Sequence, residues 1–250
     1  MLPMKPGLAV AAVTAFALLA GCQNGSTPDA DRAASPAASE AAVIPPDAVA
    51  NADAPILKTA SYPPRDNCAD LPGWPAFRAK LDKAVAARDA DALAALSDPD
   101  IRLDFGGGAG VKELRQRLTD PDYRLWDELA ALLPLGCGPQ EGDGAALPWI
   151  FANSPADVDP YTGMLVLGSA VPAHARPEPA SPVMARLDWA VVDLAGSYEG
   201  PGKPFTEISL PGDGKSAFVE TAKLRSLIDY RLLATRTEQG WRITALVAGD

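Results

Sequence analysis

The sequence predicts an α+β protein, and three observations predict it. Between residues 77 and 133 apolar side chains recur at helical spacing, broken by one short alternating stretch. From residue 164 onward, short alternating runs follow one another with Gly, Pro and Asp between them. Residues 227–250 then read as a closing hairpin that turns at Glu238-Gln239-Gly240. A chain of 250 residues leaves room for one or two domains.

Residues 1–21 read as an export signal. Lys5 supplies a positive start, and Gly7 to Ala20 is an apolar run too short to cross a bilayer comfortably. The run ends in Leu19-Ala20-Gly21-Cys22, which resembles the lipobox of bacterial lipoproteins. Small side chains there let a peptidase reach the backbone, while the Cys thiol takes the diacylglycerol. An ordinary signal peptide with a chance Cys, or a short membrane anchor, is the plainer alternative. The lipobox reading makes Cys22 the acylated mature N-terminus, which holds the protein on a membrane. Gln23 stands where lipoproteins kept on the inner membrane carry Asp. The resemblance therefore implies the periplasmic face of the outer membrane.

Residues 22–61 read as the tether such an anchor needs. From residue 23 to 61 there are 12 Ala, 5 Pro, five acids and two bases. That composition buries too little apolar surface to offset chain entropy. As a coil the segment spans roughly 35 Å.

Residues 62–160 read as an acidic helical domain. They carry 17 acids and 10 bases, against 10 and 9 in residues 161–250. The net charge of −10 argues against a nucleic-acid partner. Pro75 starts a helix with Phe77, Leu81, Ala84 and Val85 on one face. Asp89 or Asp91 caps a second, which Ser97-Asp98-Pro99 ends as a turn. Ile101, Leu103 and Phe105 alternate as a half-buried strand. Gly106–Gly110 breaks the chain before a helix with Val111, Leu114 and Leu118. Asp120-Pro121 opens the last helix, with Leu125, Leu129, Leu132 and Leu133, and Pro134 ends it.

One His and three Cys exclude a His-rich zinc site, a Cys₄ finger and a four-thiolate cluster, and no cofactor or metal is implied. With Cys22 lipidated, Cys68 and Cys137 remain as an even pair, read in an oxidising compartment as a disulfide. Two buried thiols are the alternative. Glycines 106–108 and 110 precede a helix with Lys112 nearby, an arrangement that can hold an anion. The stretch lacks the Gly-Lys-Ser/Thr ending of a phosphate loop, so it reads as a flexible turn. Asp98, Asp100 and Asp104 lack the spacing and closing Glu of an EF-hand. Glu128 and Glu141 read as surface charge.

Residues 161–226 carry the better resemblance. The stretch from Val171-Pro172-Ala173-His174-Ala175-Arg176-Pro177 through Ser181-Pro182-Val183-Met184-Ala185-Arg186-Leu187 resembles the opening of bacterial SH3-like domains. Phe205-Thr206-Glu207-Ile208 stands where they carry W-x-x-V. Asp213-Gly214-Lys215-Ser216-Ala217-Phe218-Val219 is similar to their D-G-K-x-G-[WY]-V, and Leu224-Arg225-Ser226 to their L-R-S end. His174, Phe205 and Ala217 replace the usual Arg, Trp and Gly. The resemblance implies a small SH3-like β-barrel, with His174, Arg176 and Trp189 as candidate ligand-binding residues. His174 reads as a solvated side chain. Trp189, on Leu187's face of an alternating strand running from Ala185 to Leu194, reads as core. The parts flanking this unit resemble nuclear-transport-factor-like cone folds, an arrangement in which the barrel is inserted and hairpin 227–250 packs back on 62–160. Two consecutive domains are the alternative.

Taken together, these features imply a non-catalytic binding or adaptor lipoprotein that meets a cell-wall peptide (peptidoglycan) or an envelope protein. A structural or assembly spacer is the alternative. An accessory cell-wall hydrolase is less well supported, because no Cys/His pair suits a peptidase and no carboxylate pair has a recognisable setting.

Overall fold

Trp74 to Ala86 forms helix α1, with Gly73 before it in the left-handed region and Pro75 in the first turn, where its missing N–H costs nothing. The computed structural model describes residues 53–249 apart from residue 199. The export signal, Cys22 and the tether up to residue 52 lie outside the described residues. Among those described, no helix is long and apolar enough to cross a membrane.

The chain is α+β. Helix α2 (Ala90–Leu96) is capped by Asp89, whose carboxylate accepts from the amides of Asp91 and Ala92. Helices α3 (Val111–Thr119) and α4 (Leu125–Leu132) follow. The helices pack against one face of a six-stranded sheet built from β1 (Arg65–Asp66), β2 (Ser97–Arg102), β3 (Gly136–Gln140), β4 (Gly144–Leu147), β12 (Arg231–Thr237) and β13 (Gly240–Val247). Its order is β1-β3-β4-β12-β13-β2, so the last two strands lie between strands that precede residue 148. Leu147 pairs with Leu232 on one side of the hairpin, and Ser97 with Ile243 on the other. Fully buried Trp74, Leu81, Leu129, Leu147 and Leu232 fill the space between, and Trp241 meets Trp74 edge-on with centroids 4.9 Å apart.

Between β4 and β12 the chain makes a second, seven-stranded sheet: β5 (Gly163–Val166), β6 (Val171–His174), β7 (Val183–Leu187), β8 (Val191–Leu194), β9 (Phe205–Ser209), β10 (Ser216–Glu220) and β11 (Leu224–Ser226). The order is β11-β5-β8-β9-β10-β6-β7. Entry and exit are neighbours: Met164 pairs with Ser226 and Val166 with Leu224, and the Leu227 amide donates to the Gly163 carbonyl at 3.1 Å. Side chains on β5 serve two cores by strand alternation. Met164 and Val166 face the inserted sheet's own interior, while Leu165 packs on Trp149 and Ile150 at the junction.

Several expectations need correction. The turn expected at Ser97-Asp98-Pro99 is an edge strand that follows α2 directly, and an edge tolerates Pro because it need not donate on both sides. Strands β3 and β4 fall in a stretch expected to have none. The segment from Ala185 to Leu194 is two strands, because the chain turns at Trp189, which has φ +48°. The inserted sheet runs from edge to edge, with β11 and β7 unpaired to each other, in place of a closed barrel. It is nonetheless strongly coiled. Three residues join β7 to β8 and span at most about 14 Å, whereas four flat strand spacings would need about 19 Å. The tether composition predicts coil to residue 61, yet Pro55 to Leu57 runs along β7: the Arg186 amide donates to Pro55 at 2.8 Å and the Leu57 amide to Arg186 at 2.9 Å.

Cys68 and Cys137 are joined by a disulfide with Cα atoms 5.7 Å apart, and both are fully buried. Beside it β1 lies against Gly136, where a Cβ would sit 2.1 Å from the Arg65 carbonyl oxygen, so only glycine admits this approach. Opening the bridge frees a loop spanning 69 positions. Cys68→Ala with Cys137→Ala should lower unfolding free energy by about 2–4 kcal/mol, read as a fall in the urea midpoint at unchanged m-value.

Candidate functional site: a cleft in the inserted sheet

Strand alternation on the inserted sheet sends Ile208, Ala217 and Val219 inward to its core. It sends Phe205, Glu207 and Phe218 outward. Cross-strand pairing aligns Glu207, Phe218 and His174 in one row across β9, β10 and β6. Over this row opens a cavity of about 330 Å³ lined by Pro177, Ser197, Lys203, Phe205, Glu207 and Phe218. Its floor is aromatic and its rim carries an ammonium and a carboxylate. Glu207 is oriented by the Ser216 hydroxyl, which donates to it. The arrangement suits an extended peptide with an apolar side chain and charges of both signs.

The three candidate ligand residues separate. His174 is 5 % exposed, so it is not the solvated side chain expected. Its Nδ1 donates to the Ser181 carbonyl at 3.0 Å, and its ring meets Phe205 edge-on at 5.7 Å. It is the packed back wall of the cleft. Arg176 sits on the loop beside Pro177, exposed and paired with Glu178 at 2.8 Å. Trp189 does not line the cleft and is only half-buried, which corrects its reading as core. Its amide donates to Gly168 and its carbonyl accepts from Tyr62, both at 2.8 Å. Phe205, Lys203, Glu207 and Phe218 were not singled out as site residues. The only sequence signal for them was that Phe205 and Phe218 occupy aromatic positions of the SH3-like pattern.

The glycine loop is occupied by its own chain. Asp104 Oδ1 accepts from the amides of Gly106 (2.8 Å) and Gly108 (2.7 Å), and Glu113 accepts from Ala109 (3.1 Å). Buried Arg117 pairs with both carboxylates and donates to the Leu103 carbonyl. The Arg117 guanidinium, then the Gly108 amide, hold the Asp104 carboxyl below its ordinary range. Amides that would cradle a phosphate are already engaged by carboxylates. Among the described residues, the grouping with metal-ligand spacing is Asp66, Cys68 and Cys137, and its two sulfurs are spent on the disulfide.

At the junction between the two sheets, Arg225 of β11 is buried. It pairs with Asp229 at 3.2 Å and donates to the Tyr230 carbonyl at 2.7 Å. Glu128 on α4 faces this cluster half-buried, not as free surface charge. Burial, then the Asp229 charge, push its carboxyl above the ordinary range, against the pull of Arg225.

No family model matches the sequence, and no curated protein matches it. Among solved structures, one neighbour is an NTF2-like protein with a cystatin-like fold from Novosphingobium aromaticivorans. It is 15 % identical, with 70 % of this chain and 77 % of that chain covered and a TM-score of 0.26. Another, from the same organism, is described as a "putative aromatic ring hydroxylase". It is also 15 % identical, with 70 % and 84 % covered and a TM-score of 0.27.

Two outcomes follow from the geometry. His174→Ala should lower stability by about 1–3 kcal/mol, since it empties a buried site and strips the Ser181 carbonyl of its donor; chemical denaturation checks this. For Glu128 the folded state binds its proton more tightly than the unfolded chain does. This residue's contribution therefore favours folding at low pH and fades as pH rises from the ordinary carboxylate range through the raised value. Glu128→Gln should raise the melting temperature at pH 7 and leave it unchanged near pH 3.

Proposed function

We propose that the protein is a lipid-anchored envelope protein whose inserted sheet is an SH3-like recognition module for a cell-wall peptide or an envelope protein. The observation that carries this is the cleft itself, where Phe205 and Phe218 stand on the outward face of β9 and β10 between Lys203 and Glu207. An aromatic floor with opposite charges at its rim recognises a peptide without needing a reactive group. Two further features support the reading. The SH3-like stretch Asp213 to Val219 forms the tight β9–β10 turn, with Gly214 at φ +65°, and continues into a strand that lines the cleft. The sheet coils as a small barrel does, although its edges do not meet. The lone His174 is committed to a carbonyl and a phenyl ring, which favours recognition over catalysis. The lipid anchor rests on the Leu19–Cys22 motif, and the surrounding α+β part is read as a cone-like scaffold.

Co-sedimentation of the chain bearing Cys22→Ser with insoluble peptidoglycan, at low and high salt, tests this. Salt-resistant pelleting is expected, and Phe218→Ala should weaken it by about tenfold, the worth of one aromatic contact. Unchanged pelleting by that variant would remove the cleft from the function. Absence of pelleting at both salts would remove the wall as partner and leave an envelope protein. Clearing of the wall in a zymogram would instead support a hydrolase.

A further inference from the structure

A second recess lies on the helical part, away from the cleft. Cavities of about 410 and 400 Å³ share Lys80, Ala95 and Leu96, and so form one groove from α1 and α2 to the tip of the β12–β13 hairpin. Helix α1 presents Ala76, Lys80, Lys83 and Ala87 to it, a 4-3-4 spacing that keeps all four on one face. Phe77, Leu96 and Trp241 deepen the apolar floor towards the hairpin.

The charge along this groove opposes that of the chain. Lys80, Lys83, Arg236 and Arg242 line it against two carboxylates, Asp89 and Glu238, in a protein of net charge −10. Asp89 is spent on the α2 cap, and Arg236 pairs with Asp143 outside the groove. Arg242 donates to the Ala95 carbonyl within it. Lys80 and Lys83 are exposed and make no ion pair among the described residues. Both ammonium groups therefore stand over an apolar floor with no acid of their own.

We propose that this groove binds a single-chain anionic amphiphile, with its apolar chain along the floor and its acidic head at Lys80 and Lys83. The chain contributes burial of apolar surface, and the lysines contribute charge-assisted hydrogen bonds and the choice of sign. The site is separate from the cleft of the inserted sheet and stands or falls without it.

Trp241 lines the groove and gives the readout. The full chain bearing Cys22→Ser, free of any attached acyl group, is titrated with dodecanoate while tryptophan emission is followed and heat is recorded in parallel. Saturable binding is expected, with no matching response to dodecyltrimethylammonium. Lys80→Glu with Lys83→Glu should weaken dodecanoate at least about tenfold, whereas Lys80→Arg with Lys83→Arg should keep it. Circular dichroism confirms that these exposed substitutions leave the fold intact. Equal binding of the cationic amphiphile, unchanged affinity in the Glu variant, or no saturable binding would overturn the proposal. Attachment to phosphatidylglycerol vesicles without binding of monomeric dodecanoate would also overturn it and would make this face a membrane-docking surface.

Discussion

The β12–β13 hairpin is the constraint on which the rest of the structure depends. It lies between β4 and β2, so a sheet begun before residue 148 is completed only by residues 231–247. The helices pack on a face to which Leu232, Ala234, Trp241, Ile243 and Leu246 contribute. Without those side chains α1 would expose Trp74 and Leu81. The inserted sheet must therefore deliver the chain back close to where it left, and the pairing of β5 with β11 does so. This joins non-local pairing to a large intervening segment, the kind of topology that folds slowly.

Buried arginines organise the seams that this topology creates. Arg117 ties the glycine loop to α3 through Asp104 and Glu113. Arg225 is held by Asp229 and the Tyr230 carbonyl where the insert rejoins the sheet. Arg231 lies over Phe151 at 4.9 Å and donates to Gly249 at 2.7 Å at the far end of β12. A buried guanidinium is tolerated because its fork meets several acceptors at once. Glu128 sits beside one such seam at an energetic cost, which is why its proton is held more tightly in the folded chain.

Much of the α+β character was legible in the sequence, because it rests on periodicity. Phe77, Leu81 and Val85 mark α1, and Asp89 marks the start of α2 by its capping chemistry. Strands β3 and β4 were not legible. Gly136-Cys137-Gly138-Pro139-Gln140 and Gly144-Ala145-Ala146-Leu147 contain no β-branched residue, and pairing with β12 makes them strands. Pro99 reads as a turn locally and is accommodated because β2 is an edge. Trp189 looked like part of an alternating run, but its left-handed backbone ends the strand before it. His174 was read as solvated because nothing in its neighbours announces that loop 175–182 folds over it. Both recesses were invisible for a shared reason: their walls come from segments distant along the chain. Ala76 and Trp241 meet only after the hairpin has returned.

The most direct test is to excise the insert, joining Gly163 to Leu227 through a short turn, and to record near-ultraviolet circular dichroism with thermal unfolding. The α+β part should keep the fixed tryptophan signal of the Trp74–Trp241 pair and unfold in a single cooperative transition. Loss of that signal, or unfolding without cooperativity, would contradict the division into a self-sufficient scaffold and an inserted recognition sheet.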